Sequence, residues 1–141
     1  MKKIIVILVL MIGAIVATGT GYGQVIDSTL APYFVSVSYY SNDFNIDTAG
    51  EASFSLIVRA LNNDQLDQVT ATVKIINKST GAISYNQTLN LPYSYLHDQF
   101  RTSGSYTLTK SGLYEFQVTF KCYGDGVLLE TITANPQLDS F

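Results

Sequence analysis

The sequence predicts an all-β chain: a single antiparallel β-sandwich of about seven strands behind an N-terminal export signal. Three observations predict it. Apolar and polar residues alternate with period two through most of the chain beyond position 33, no segment sustains a helical period, and clusters of Asn, Asp, Gly and Ser interrupt the alternation. Thr, Ser, Tyr, Val and Ile are abundant while Pro occurs three times, which suits strands joined by polar turns.

The first element is the signal. Lys2 and Lys3 precede an apolar run from Ile4 to Val16. Such a run has the length of a signal-peptide hydrophobic region and is short of the roughly 20 residues that span a bilayer. Ala17, Gly19, Gly21 and Gly23 offer small residues for the cleavage positions. Cleavage is expected between 19 and 24, giving residues 1–23 as signal peptide and 24–141 as one domain. The only Cys, Cys122, lies far from that point, so no lipid anchor is expected. No second long apolar run follows, so the processed protein is expected to be secreted, with no stable membrane insertion.

The strands follow in order. Tyr33, Val35, Val37 and Tyr39 alternate with Phe34, Ser36, Ser38 and Tyr40. Ala52–Ala60 and Val69–Ile76 repeat the pattern, and Ile83, Tyr85, Leu89 and Leu91 share one parity broken by Gln87. Tyr106 and Leu108 come after a loop; Tyr114–Cys122 and Val127–Thr131 complete the set. Turns are expected at Asn42–Gly50, 62–64, Asn77–Gly81, Pro92–Gly104, 111–112 and 124–126. One apolar and one polar face per strand is the signature of antiparallel sheets packed on one side. About twenty inward side chains would each contribute roughly 1.5–3 kcal/mol against chain entropy.

The last hairpin is the most specific local prediction. Asp125-Gly126 is a favoured pair for a type I′ turn, in which both central residues need positive φ. A regular ladder from that turn sets Cys122 opposite Leu129 and Lys121 opposite Glu130; a bulge would shift both.

The stretch Leu108-Thr-Lys-Ser-Gly112-Leu-Tyr114-Glu-Phe116 resembles the tyrosine corner of immunoglobulin-like sandwiches. The resemblance implies that Gly112 and Tyr114 are structural, the phenol bonding back to the preceding connection. The chain departs from antibody domains in having no Trp and no partner for Cys122. Ser105–Tyr114, Cys122–Thr131 and Ile46–Phe54 together resemble a group of short secreted clostridial-type proteins of unknown function, each a signal peptide followed by one Ig-like sandwich. That likeness implies fold and compartment and nothing about mechanism.

Charge excludes some partners. Without Lys2 and Lys3, six cations face eleven acids, a net charge of −5, and the cations are scattered. Nucleic acid, which is held by clustered cations, is not an expected partner, nor is an anionic membrane surface.

Candidate chemistry is sparse. His97 is the only histidine, and no Gly-x-Ser-x-Gly elbow accompanies it, so no catalytic residue is assigned. Cys122 falls on an inward parity, as a small hydrophobe. Asp43-x-Asn45-x-Asp47 has the spacing that opens a calcium loop, but Thr48 and Phe54 stand where such a loop needs Gly and Glu. These three are candidate Ca2+ ligands; the alternative is a polar turn whose Asp and Asn cap their own backbone. In Pro92–Gly104, the aromatics Tyr93, Tyr95 and Phe100 either plug one end of the sandwich or form a recognition surface. Ile57, Ile76, Leu128 and Ile132 lie on nominally polar faces, where gathered together they would make an interaction patch.

The function expected is a secreted, non-catalytic binding module for an extracellular protein or glycan. Two alternatives differ in class: a small secreted hydrolase using His97, and a structural surface protein that self-associates through strand edges.

Overall fold

The computed structural model describes residues 36–62 and 65–141. The export signal expected at 1–23 lies outside the described residues. Among the described residues nine strands form: β1 (Val37–Ile46), β2 (Glu51–Ala60), β3 (Gln68–Asn77), β4 (Ile83–Leu91), β5 (Tyr93–Ser94), β6 (Gln99–Thr107), β7 (Leu113–Gly124), β8 (Val127–Thr133) and β9 (Gln137–Ser140). One sheet runs β1-β2-β6-β5 and the other β4-β3-β7-β8, with β9 also on β7; every pairing is antiparallel. In the lettering of immunoglobulin domains these orders are A-B-E-D and C′-C-F-G. The chain is an Ig-like β-sandwich, as its sequence predicts.

The core is built from the inward parity of both sheets. Leu56, Val58, Val69, Val73, Ile75, Phe116 and Phe120 are fully buried. Phe116 organises the centre, stacking on Phe44 at 4.6 Å and meeting Phe54 at 5.4 Å, offset geometries that ring quadrupoles favour. Among the described residues, no buried side-chain N or O lacks a hydrogen-bond partner.

Several elements differ from the sequence expectation, each for a local reason. The Asn42–Gly50 turn is shorter: β1 runs on to Ile46, and only Asp47–Gly50 turns. Asn42 sits at an inward position, 8% exposed, and donates through Nδ2 to Asn135 O at 3.0 Å. A buried Asn with a partner is a stable core residue, yet in sequence it reads as a loop.

Parity also slips at three edge strands. β1 carries an extra residue at Ser38, β4 at Ser84 and β8 at Leu129, each opposite an unbroken partner. Each bulge turns the following side chains to the other face. Tyr39 is therefore exposed while Tyr40 packs on Phe120, and Ile132, expected on a polar face, is core at 3% exposure. Ile57 and Ile76 are half-buried and Leu128 is exposed, so the four do not gather into one patch.

Pro92–Gly104 is mostly strand. β6 begins at Gln99 and runs through Gly104, where Phe54 of β2 lies directly opposite. A Cβ on Gly104 would come within 2.5 Å of the Phe54 ring. The glycine that suggested a loop is the space an aromatic ring fills.

Candidate functional site

Three connections meet at one end of the sandwich: β2 to β3, the β5–β6 hairpin and the β7–β8 hairpin. The β7–β8 turn is Asp125-Gly126, with φ of 52° and 75° between the paired Gly124 and Val127. Both positive values fit a type I′ turn. The Leu129 bulge then sets Cys122 opposite Glu130 and Lys121 opposite Thr131, so the regular register expected from sequence is displaced by one residue.

The β2–β3 connection is tied to this turn. Asp67 donates its N–H to Tyr123 O at 3.0 Å and accepts the Asp125 N–H through Oδ2 at 2.7 Å. Gly124 is required at the crossing, because a Cβ there would lie 2.3 Å from Gln65 O. Between these connections and β5 opens a groove of about 440 Å³, lined by Asp67, Asn90, Pro92, Tyr93, Phe100 and Gly126.

The β5–β6 hairpin supplies the apolar part of the site, and its aromatics divide by depth. Phe100 is 3% exposed and plugs the end of the core. Tyr93, half-buried, packs edge-on against Phe100 at 5.1 Å and against Tyr95 at 4.9 Å. Tyr95 and its neighbour Leu96 are 91% and 87% exposed. Plug and surface thus coexist in one hairpin. Asp98, at φ 52°, turns the chain and accepts the Tyr93 hydroxyl. That hydrogen bond to a carboxylate raises the Tyr93 pKa above its ordinary value. Leu96 was not singled out by sequence; the available signal is a Leu beside a Tyr within a polar turn.

His97 is exposed in the same turn, its N–H bonding Ser94 O at 3.2 Å. Asp43 and Asn45 lie on the exposed outer face of β1, where alternate residues are spaced about 6.6 Å along the strand. Asp47 Oδ1 accepts the N–H of Ala49 at 2.9 Å and of Glu51 at 2.8 Å, capping the β1–β2 turn. Among the described residues, no group of three or more His, Cys, Asp or Glu could hold a metal ion.

Gly112 and Tyr114 belong to the opposite end. Gly112 has φ 150°, and Tyr114, 2% exposed, donates its hydroxyl to Lys110 O at 2.7 Å, the bond of a tyrosine corner. Cys122 is buried, and desolvation, with the Glu130 charge second, pushes its thiol pKa up to about 12. A thiol so raised is neutral and unreactive.

No family model matches this chain, and no curated protein matches it. Similar solved structures include the CARDB domain of a Pyrococcus furiosus protein in complex with di-metal ions: 17% identity, 57% of this chain and 64% of that one covered, TM-score 0.37. A putative β-galactosidase from Bacteroides fragilis matches at 15% identity over 69% of this chain, TM-score 0.42. A β-glucosidase from Kluyveromyces marxianus matches at 8% over 72%, TM-score 0.37. This chain spans 15% of the length of each of those two glycosidases and under two thirds of the first structure. Likenesses of this depth carry nothing about activity, and the fold assignment rests on strand order.

Proposed function

We propose that this chain is a secreted, non-catalytic binding module whose recognition surface is the loop end built on the β5–β6 hairpin. One observation carries the reading: Tyr95 and Leu96 stand almost fully exposed on a hairpin braced through Tyr93 to the buried Phe100. Apolar side chains held out rigidly lose little entropy on binding, and aromatic anchors of this kind dominate recognition surfaces. The compartment rests on the signal-like residues 1–23 and on the resemblance to secreted clostridial-type proteins. The partner class is an extracellular protein or glycan.

The hydrolase alternative requires His97 in a cleft beside a serine or a carboxylate, and His97 is instead exposed in the β5–β6 turn. Co-sedimentation of the processed protein with intact cells and isolated cell walls tests the proposal, with calcium and with chelator. Retention in the pellet supports a surface-binding module, and loss on chelation assigns a role to Asp43, Asn45 and Asp47. A protein that stays in the supernatant in both conditions removes cell-surface recognition.

A further inference from the structure

A second feature lies away from the loop end, along the side of the sandwich where β6 is left bare. β5 covers only Gln99 and Phe100 of β6, at Ser94 and Tyr93. Beyond them, among the described residues, no strand pairs with β6 on that side. Two bonds fix which backbone groups face outward: Arg101 N–H reaches out to Pro92 O, and Leu108 N–H reaches in to Gly50 O. Backbone direction alternates along a strand, so Ser103, Ser105 and Thr107 turn their N–H and C=O groups to the bare side.

This edge also lacks the protection that β1, β4 and β8 have. β1, β4 and β8 each carry a bulge, which twists an edge and discourages pairing. The β2–β6 ladder runs from Glu51↔Thr107 to Val58↔Phe100 without a shift, and the bare stretch contains no Pro and no Lys.

Beneath the edge, β4 of the other sheet forms a floor. Tyr85 meets Tyr106 at 5.4 Å, Leu89 is half-buried, and Ile83 and Tyr106 are exposed at 55% and 36%. At one end the slot opens into a cavity of about 300 Å³ whose lining carries one charge, Lys110, and no carboxylate. A bare ladder above a partly apolar floor matches the two halves of an extended peptide, its backbone and its alternate side chains.

We infer that the slot between β6 and β4 accepts an extended segment of a partner protein as an added strand. Its backbone pairs with Ser103, Ser105 and Thr107, its alternate apolar side chains rest on Tyr85, Leu89 and Tyr106, and a carboxylate near one end meets Lys110. Strand addition takes its affinity from main-chain bonds and its specificity from the pockets below.

The test is selection of a displayed library of random ten-residue peptides against the processed protein. Enriched peptides are expected to alternate apolar residues and to carry a carboxylate. They are expected to bind Ser105→Pro about tenfold more weakly, the loss of one outward hydrogen bond with its neighbours disturbed. Proline is tolerated on an edge strand where its missing N–H faced solvent, so this variant should keep its fold. Amide exchange on the wild type reads the same event without substitution: peptide protects Ser103, Ser105 and Thr107 and leaves Thr102, Gly104 and Tyr106, already paired with β2, unchanged. Enriched peptides that give no such odd-residue protection overturn the inference. So does protection at those amides that rises with protein concentration in the absence of peptide, which makes a second copy the occupant.

Discussion

Glu130 accepts two hydrogen bonds from Ser36, 3.2 Å from the backbone N–H and 2.7 Å from the hydroxyl. The pairing exists because of the Leu129 bulge, which sets Glu130 opposite the inward Cys122 instead of the outward Lys121. One inserted residue thus converts an exposed cross-strand ion pair, worth under about 1 kcal/mol, into a tie between the start of β1 and the far sheet.

Removing that carboxylate should destabilise the domain. Glu130→Ala is expected to cost about 1–3 kcal/mol, as for hydrogen bonds to a charged acceptor, and Glu130→Gln less, because an amide oxygen still accepts. Thermal unfolding of the two variants against wild type checks the order.

Gly104 should tolerate no side chain. Gly104→Ala places a methyl within 2.5 Å of the Phe54 ring, which is 4% exposed and packed against Phe116. Overpacking of this kind costs about 1–3 kcal/mol. The expected outcome is a lower denaturation midpoint for Gly104→Ala, part of which is recovered when Phe54→Leu is added.

The Tyr114 hydroxyl bond to Lys110 O should be measurable by itself. Tyr114→Phe is expected to lose about 0.5–1.5 kcal/mol, since it keeps the ring buried and deletes only the donor. Urea denaturation with an unchanged slope and a lower midpoint is the result to look for.

Stability should fall at both pH extremes for identifiable reasons. Glu115 accepts hydrogen bonds from Lys78 and Gln117, which hold its pKa below 4.5. A depressed carboxyl contributes above its unfolded pKa, and the contribution disappears as pH falls through the lower folded value. Lys78→Met should therefore soften the acid limb. Cys122 acts with the opposite sign: its raised pKa contributes below about 9.0, and the contribution is lost as pH climbs toward about 12. Native protein should also resist thiol alkylation at pH 8 and react fully once unfolded.

How far the sequence discloses this molecule depends on where each residue sits in a sheet. Central strands were legible: β2, β3 and β7 are paired on both sides, unbulged, and alternate apolar with polar residues along their length. Edge strands were not, because the bulges at Ser38, Ser84 and Leu129 change parity at a point that local residue types do not mark. β6 was hidden by Arg-Thr-Ser-Gly-Ser, a strand whose outer face is small and polar and whose glycine serves a ring on another strand. β9 was missed because four residues after Pro136 show too little alternation, although they pair with Leu113–Phe116.

The candidate site divides in the same way. Sequence found Tyr93, Tyr95 and Phe100 as a group, and their depths came only from the hairpin that orders them. Asp67 as the tie between two connections, and the bare edge of β6, depend on contacts across the fold and leave no local mark in the sequence.

The central claim is that the loop end, through Tyr95 and Leu96, is the recognition surface. The most direct measurement compares binding of wild type, a Tyr95→Ser/Leu96→Ser double variant and a Leu138→Ser control to cells and cell walls by co-sedimentation. Leu138, 58% exposed on β9, controls for the loss of any exposed apolar side chain. The account predicts that the double variant loses about tenfold or more in affinity with its thermal midpoint unchanged, while the control binds as wild type. A double variant that sediments as wild type does would contradict it.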